Sequence, residues 1–220
     1  MPQDQVLAVG SALGALALVV FPGVWRVSRY AVTVAHEGGH ALMAVVTGQR
    51  LEKITMHAFT GGATHIKNPS PGLRWFVTAL AGYPAPPLLG LGAAHLVVRD
   101  QVRPMLMLCI GLLAVTFLHS RGWFAPLVVV VIGGLVYLAT WRVSQQTREA
   151  IGYGIAWFLL IGGLRAVSVL HSLHRSKQGK GSDATELKEL TAVSARFWVF
   201  LFYVVAIGAL YLGGRVLLHL

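Results

Sequence analysis

The sequence carries very little charge for its length. Only 12% of its 220 residues are Asp, Glu, Lys or Arg, and just 8 of them are acidic. A soluble domain of this size has about 25% charged residues. The low charge, together with a hydrophobic content of 55%, excludes an ordinary soluble protein. We predict an integral membrane protein that forms a single domain over residues 1–220.

Cysteine is nearly absent, and the N-terminus has no basic segment. The single cysteine, Cys109, lies in an apolar run and supports no disulfide framework. The opening segment MPQDQVLAVG contains no Lys or Arg, so we interpret residues 6–25 as a retained helix and not as a cleaved signal peptide. The net charge of +10 comes from residues that flank apolar runs. This placement is typical of membrane proteins and does not favour nucleic acid as a partner.

Long apolar runs make up most of the chain. A helix needs about 20 apolar residues to cross a bilayer. Runs of suitable length occupy residues 6–25, 31–48, 73–98, 104–119, 123–141, 150–170 and 197–218. They predict an all-α polytopic membrane protein with six to seven transmembrane helices, because the 104–119 run is short and Arg121-Gly122 separates it from the next.

Two polar stretches, residues 49–72 and 171–195, interrupt this pattern. In the first, β-branched and aromatic residues surround Gly61-Gly62, which favours a β-hairpin. We predict a short membrane-associated hairpin over residues 54–66 that packs on the helices, because a lone hairpin is marginally stable. In the second stretch, SDATELKEL predicts a short helix with Asp183 as its N-cap.

The segment TVAHEGGHALMAV places polar residues inside an apolar helix. In the motif His-Glu-x-x-His, His36 and His40 lie one turn apart on the same helix face, where two imidazoles can share one zinc ion. Glu37 lies about a hundred degrees round the helix and can take a proton from a water on the zinc. A carboxylate in lipid costs several kcal/mol, so intramembrane acids are functional by default. A buried His–Glu hydrogen-bond cluster is the structural alternative.

A catalytic zinc site needs three protein ligands and one open position. The residues alone leave the third ligand open. Asp183 is a candidate, but it is also a plausible helix cap, and the two roles compete for the same oxygens. His171 and His174 form a second candidate pair. His57 and His65 on the hairpin are candidates for orienting a substrate.

Four segments occur in an informative order. They are the helix VAHEGGHALMAVVTGQRLEKITM, the hairpin FTGGATHI, the broken helix AGYPAPPLLGLG and the late GSDATEL. This order resembles a compact branch of the site-2 protease family, which consists of membrane-embedded zinc metalloproteases of the HExxH type. The resemblance covers nearly the whole chain.

The resemblance implies a zinc cofactor bound by His36, His40 and Asp183, with Glu37 as the catalytic base. Most site-2 proteases carry the aspartate in a DG motif, whereas SDA takes that place here. The expected activity is zinc-dependent endoproteolysis of membrane-spanning substrates, as in regulated intramembrane proteolysis. The main alternative is a non-hydrolytic membrane protein that transports or senses zinc. A structural scaffold without zinc is a third possibility.

The basic residues suggest an orientation. If seven helices span the membrane, eleven of the 18 lysines and arginines lie on the side of the two polar stretches and seven lie opposite. This bias favours a cytoplasmic location for the polar stretches and for the active site. We expect a multi-pass protein of a bacterial cell membrane. Its expected partners are the lipid bilayer and a transmembrane protein or peptide substrate; the sequence leaves the oligomeric state open.

Overall fold

The structure is a computed structural model that describes residues 3–58, 61–68, 72–176 and 178–220. Helices dominate this part of the chain, and one β-hairpin follows the second helix. The order is α1 (Gln3–Val20), α2 (Pro22–Val46), β1 (Arg50–His57), β2 (Gly61–Lys67), α3 (Leu73–Ala81), α4 (Ala85–Val97), α5 (Val102–His119), α6 (Phe124–Trp141), α7 (Gln145–Arg175), α8 (Asp183–Thr191) and α9 (Ala195–Leu217).

The predicted class, an all-α polytopic membrane protein with a small hairpin, is confirmed. Within the described residues, four helices are long and apolar enough to cross a membrane, namely α5, α6, α7 and α9. Helices α1 and α2 meet at an angle of 103° and add a fifth span if the pair crosses as one unit. The count of four or five is lower than the predicted six to seven.

Breaks inside two apolar runs account for the lower count. The first run does not form one helix, because α1 ends at Val20 and Pro22 opens α2, where its missing N–H is tolerated. The run over 73–98 breaks at Gly82 and Pro84 into α3 and α4, and neither of these is long enough to span. The charge comparison assumed seven spans, so it no longer favours either side, and the cytoplasmic location stays a prediction.

A glycine-based helix end turns the chain from α2 into the hairpin. Gly48 has a positive φ of 73°, a region that glycine adopts without steric cost. The Gly48 N–H donates to the Val45 carbonyl, and the Gln49 N–H donates to the Ala44 carbonyl. This pair of bonds is the Schellman motif. It ends α2 one turn and a half after His40 and sends β1 back along the helix.

The hairpin is confirmed, but its turn lies elsewhere than predicted. β1 and β2 pair antiparallel, with His57 opposite Gly61 and Ile54 opposite Thr64. Gly61 and Gly62 therefore belong to β2 and do not form the turn; residues 59 and 60 lie outside the described residues. Gly61 has a φ of 101°, so glycine is needed where β2 begins.

The two edges of the hairpin have different surroundings. The Arg121 N–H donates to the Ile54 carbonyl at 2.9 Å, and a parallel bridge between Ile54 and Ser120 covers the outer edge of β1. In the described ranges, no strand pairs with the outer edge of β2. One face of the hairpin, with Ile54 and Met56, is buried among side chains of α2, α5 and α6.

Close helix contacts hold the break between α3 and α4 in place. A Cβ at Gly90 would lie 2.9 Å from the Leu160 nitrogen, and one at Gly163 would lie 3.0 Å from the Pro87 nitrogen. Small residues at these two points let α4 and α7 approach backbone to backbone. A separate core around Ala184, Leu187 and Phe202 fixes α8 against α3 and α9. The break itself contacts α2, because a Cβ at Gly39 would lie 2.9 Å from the Ala81 carbonyl oxygen.

Candidate functional site

The helix α2 brings the two motif histidines together. The Nε2 atoms of His36 and His40 lie 3.2 Å apart, and their rings meet edge to face. This arrangement follows from the helical repeat, which places residues i and i+4 on one face. The predicted juxtaposition of the two imidazoles is present in the structure.

Asp183 reaches the same point from α8. Its Oδ2 lies 3.5 Å from Nε2 of His36 and 3.2 Å from Nε2 of His40. In the part of the chain that the structure describes, these three residues are the group of His, Cys, Asp or Glu side chains that could hold a metal ion, with ligand atoms within 4.8 Å of one another. We refer to His36, His40 and Asp183 as the His/His/Asp cluster.

The prediction that Asp183 is the N-cap of its helix is wrong. Ser182 is the N-cap, and its Oγ accepts a hydrogen bond from the Thr185 N–H. Serine is among the preferred N-cap residues, because its oxygen satisfies a free N–H of the first turn. Asp183 is the first residue inside α8, so the competition between capping and ligation does not arise. Its carboxylate is free to point at α2.

The donor atoms of the cluster fit a zinc ion. Oδ2 of Asp183 is buried and has no hydrogen-bond partner among the described residues, which is costly for a carboxylate unless a cation balances it. Nδ1 of His40 lies 2.7 Å from the Thr78 carbonyl. Since a carbonyl only accepts, Nδ1 carries the proton and Nε2 keeps its lone pair for a metal. Two imidazole nitrogens and one carboxylate oxygen form a catalytic zinc donor set.

Glu37 lies beside the cluster and is only 3% exposed. The Thr64 hydroxyl donates to its Oε2 at 2.7 Å, and its backbone carbonyl lies 3.2 Å from the same hydroxyl. Gly62 approaches the other oxygen: a Cβ there would lie 2.5 Å from Oε1. The strand β2 thus packs directly on the motif glutamate.

The break between α3 and α4 lies over the cluster, a placement that the sequence did not reveal. A Cβ at Gly82 would lie 2.6 Å from both Oδ2 of Asp183 and Cε1 of His36. The Tyr83 ring meets the His36 ring edge to face and stacks on Phe202 of α9. The Gly-Tyr-Pro sequence signalled a broken helix, but nothing in it indicated which residues the break would face.

Glu186 is the other acid of α8 that interacts with the cluster. Burial raises the pKa of its half-buried carboxyl above the ordinary value, and the negative charge of Asp183 raises this pKa further. Glu186 does not belong to the metal-binding group found among the described residues.

The remaining candidate histidines lie away from the cluster. Nε2 of His174 lies 2.9 Å from Oγ of Ser182, so this histidine supports the turn before α8. Nδ1 of His171 lies 3.4 Å from the Tyr203 hydroxyl. His57 is exposed, and His65 lies 3.2 Å from the Thr55 hydroxyl on the hairpin face that does not contact Glu37. None of the four belongs to the metal-binding group found among the described residues.

The family described as Peptidase M50B-like matches residues 9–213, a range that includes Glu37 and the whole His/His/Asp cluster. The chain belongs to the Peptidase M50B-like family. The resemblance to site-2 proteases is therefore confirmed, and its family together with its apolar helices makes the chain a multi-pass membrane peptidase. No curated protein and no solved structure matches it.

Proposed function

We propose that this protein is a zinc-dependent intramembrane endopeptidase. In this proposal the His/His/Asp cluster holds the zinc ion, and Glu37 is the catalytic base. The observation that carries the proposal is the position of Asp183. A carboxylate from a distant helix meets the two histidines of an HExxH motif and keeps a buried oxygen without a hydrogen bond.

Each residue of the site has a defined part in hydrolysis. Zinc held by the His/His/Asp cluster would act as a Lewis acid and lower the pKa of the attacking water toward neutrality. Glu37 takes the proton of that water on its carboxylate and later passes it to the nitrogen of the leaving amine. The Thr64 hydroxyl donates to Oε2 and holds the carboxylate in place for this transfer. Thr78 holds His40 in the tautomer that leaves Nε2 free.

The outer edge of β2 is the proposed docking site for the substrate. A transmembrane helix satisfies all its backbone hydrogen bonds internally, so it must unwind before cleavage. An unwound segment can pair with an exposed strand edge. Here β1 is covered by Ser120 and Arg121, whereas β2 contacts Glu37. Pairing along β2 would therefore bring the extended segment beside the base.

The register shows which backbone groups face this edge. In an antiparallel ladder, opposed residues alternate between pairs that exchange hydrogen bonds and pairs that exchange none. The Ile54 carbonyl accepts from Arg121, away from β2. Thr64 stands opposite Ile54, so its own N–H and carbonyl also point away from the partner strand. Thr64 thus offers a donor and an acceptor at the outer edge of β2.

A direct test combines metal analysis with a cleavage assay. The full chain, purified and returned to liposomes, is expected to contain about one zinc ion per chain. It is also expected to cut a reporter peptide that spans the bilayer, and a chelator should stop the cleavage. Cleavage that persists after all zinc is removed would contradict the proposal.

Gly82 gives a first prediction about the metal. Gly82→Ala should weaken zinc binding by about ten- to hundredfold, the scale seen when groups supporting a metal site are disturbed, because the new Cβ would press on Asp183 and His36. Gly38→Ala is the matched control on α2, since among the described residues no atom outside its own stretch of helix would lie within 4 Å of a Cβ there. Zinc titration of both variants measures the difference. Equal affinities would place the metal elsewhere.

Thr64→Pro tests the docking edge. Proline removes both the outward N–H and the hydroxyl, whereas Thr64→Val removes the hydroxyl alone. We expect kcat/KM of the Pro variant to fall about three- to tenfold below that of the Val variant, the value of one backbone hydrogen bond. Zinc content and circular dichroism check that the fold is kept. Equal kcat/KM values for the two variants would make β2 a connector with no part in docking.

A further inference from the structure

The Thr64 hydroxyl makes a contact that hydrolysis by the motif alone does not require. It lies 2.7 Å from Oε2 of Glu37 and 3.2 Å from the Glu37 backbone carbonyl. Among the described residues, no other side chain donates a hydrogen bond to the Glu37 carboxylate. The carboxylate is buried, and its orientation is therefore set mainly by one residue from the hairpin.

Gly62 completes this arrangement two residues earlier on the same face of β2. A Cβ at this position would lie 2.5 Å from Oε1 and 2.8 Å from Cδ of Glu37. The strand therefore holds one carboxylate oxygen with the Thr64 hydroxyl and packs closely against the other at Gly62, where any side chain would collide with the carboxylate. The two oxygens of Glu37 are placed in different environments by residues 62 and 64.

We propose that Thr64 is a positioning residue for the catalytic base: its hydroxyl holds Oε2 and so restrains the rotation of the Glu37 carboxylate. The inference rests on the proposed function and deepens it. Terminal carboxylate torsions are broad and weakly restrained. A base that rotates freely spends little time in the reactive geometry, and orientation is worth a large part of an enzymatic rate.

The position of Thr64 also connects the base to substrate docking. Its side chain contacts Glu37, and its backbone N–H and carbonyl point to the outer edge of β2. A substrate strand that pairs there would hydrogen-bond to the residue that orients the base. Docking of an extended segment would thereby restrain β2 and Glu37 together, so that the base is best ordered when a substrate is present.

Three variants separate the hydroxyl from the shape of the side chain. Thr64→Val keeps the branched shape and removes the donor; we expect kcat to fall about ten- to hundredfold, the scale of a hydrogen bond to a charged group. KM and zinc content should stay within about twofold, because neither docking nor ligation uses the hydroxyl. Thr64→Ser retains the donor and should keep kcat within about threefold of the wild type.

Thr55→Val is the matched control on β1. The Thr55 hydroxyl contacts the Ala63 carbonyl and His65 within the hairpin and does not contact Glu37. Its loss removes a hydroxyl from the same small sheet and should leave kcat within about twofold of the wild type. A decrease equal to that of Thr64→Val would indicate a general effect on the hairpin and would overturn the proposal.

A double-mutant cycle tests whether Thr64 acts through Glu37. In the Glu37→Gln background, where the base is already lost, Thr64→Val should lower the residual rate by less than about twofold. A further ten- to hundredfold loss would assign Thr64 a role independent of the base and overturn the proposal. A kcat of Thr64→Ser as low as that of Thr64→Val would also overturn the proposal.

The outcomes also distinguish this inference from the proposed function. An inactive Glu37→Gln together with a fully active Thr64→Val rejects the role of Thr64 and leaves the endopeptidase intact. Full turnover by Glu37→Gln would reject both the role of Thr64 and the proposed endopeptidase mechanism. Thermal unfolding provides a readout that needs no substrate: Thr64→Val should lower the midpoint by about 3–10 °C in the wild type. The shift should be smaller in a Glu37→Ala background, where only the backbone carbonyl of residue 37 remains as an acceptor. Equal midpoint shifts in both backgrounds would contradict a hydrogen bond to the carboxylate.

Discussion

Glu37→Gln is expected to lower the turnover of a transmembrane substrate by about two to four orders of magnitude, the usual effect of losing a general base. The amide keeps the shape of the side chain and can still accept the hydrogen bond from Thr64. It cannot take a proton from water. Zinc content should not change, because Glu37 is adjacent to the cluster but is not one of its metal-binding residues. Single-turnover cleavage in liposomes and metal analysis measure the two properties separately.

The matched control for this experiment is Glu52→Gln. Glu52 is an exposed acid on β1, and its neutralisation changes the net charge by the same amount without touching the site. Its turnover should equal that of the wild type. Full turnover by Glu37→Gln would reject hydrolysis by this mechanism. Wild-type zinc content with no cleavage by any variant, the wild type included, would favour the non-hydrolytic metal-binding alternative.

Asp183→Ala is expected to remove most of the zinc together with the activity. In the proposed site the carboxylate would be the single ligand from outside α2, and without it only two histidines would remain to hold the ion. A lost ligand lowers metal affinity directly, and metal binding stabilises the fold. We therefore expect zinc content well below one ion per chain, and a lower thermal midpoint in zinc-containing buffer. His36→Ala combined with His40→Ala should abolish zinc binding.

Ser182→Ala is the control that the structure provides for Asp183→Ala. It removes the N-cap of α8, at a cost of about 1 kcal/mol, and leaves the ligand in place. Zinc content should remain at the wild-type level in this variant. If Asp183→Ala keeps its full zinc content, Asp183 is not a ligand, and the third donor must come from another residue. His171 and His174 are poor replacements, since they contact Tyr203 and Ser182 instead of the cluster.

Local sequence patterns predicted those parts of the site that lie within a single element of secondary structure. The spacing of His36 and His40 fixes their common helix face wherever the helix packs. The hairpin was recognisable from its composition, although the Gly61-Gly62 pair predicted the wrong position for its turn. The misassigned cap shows the limit of such patterns. Ser182 and Asp183 are both good N-cap residues, and a shift of one position changes whether the carboxylate caps the helix or points at α2.

The contacts between distant elements were not predictable from the sequence. Gly82, Thr64 and Thr78 each act on a motif residue that lies at least 27 positions away in the chain. Their roles depend on how α3 and the hairpin pack on α2, which no short pattern encodes. The structure has fewer candidate spans than the sequence has apolar runs, because hydropathy measures the length of an apolar run and does not register where a proline or glycine breaks it.

The hairpin has one covered edge and one open edge, and this asymmetry limits how copies of the protein can associate. Exposed strand edges are templates for aggregation, and sheets open on both sides can grow without limit. Here Ser120 and Arg121 bond to β1 at Ile54. If two copies pair through β2, the result is a four-stranded sheet whose two outer strands are each engaged at Ile54, and this engagement opposes the addition of further copies.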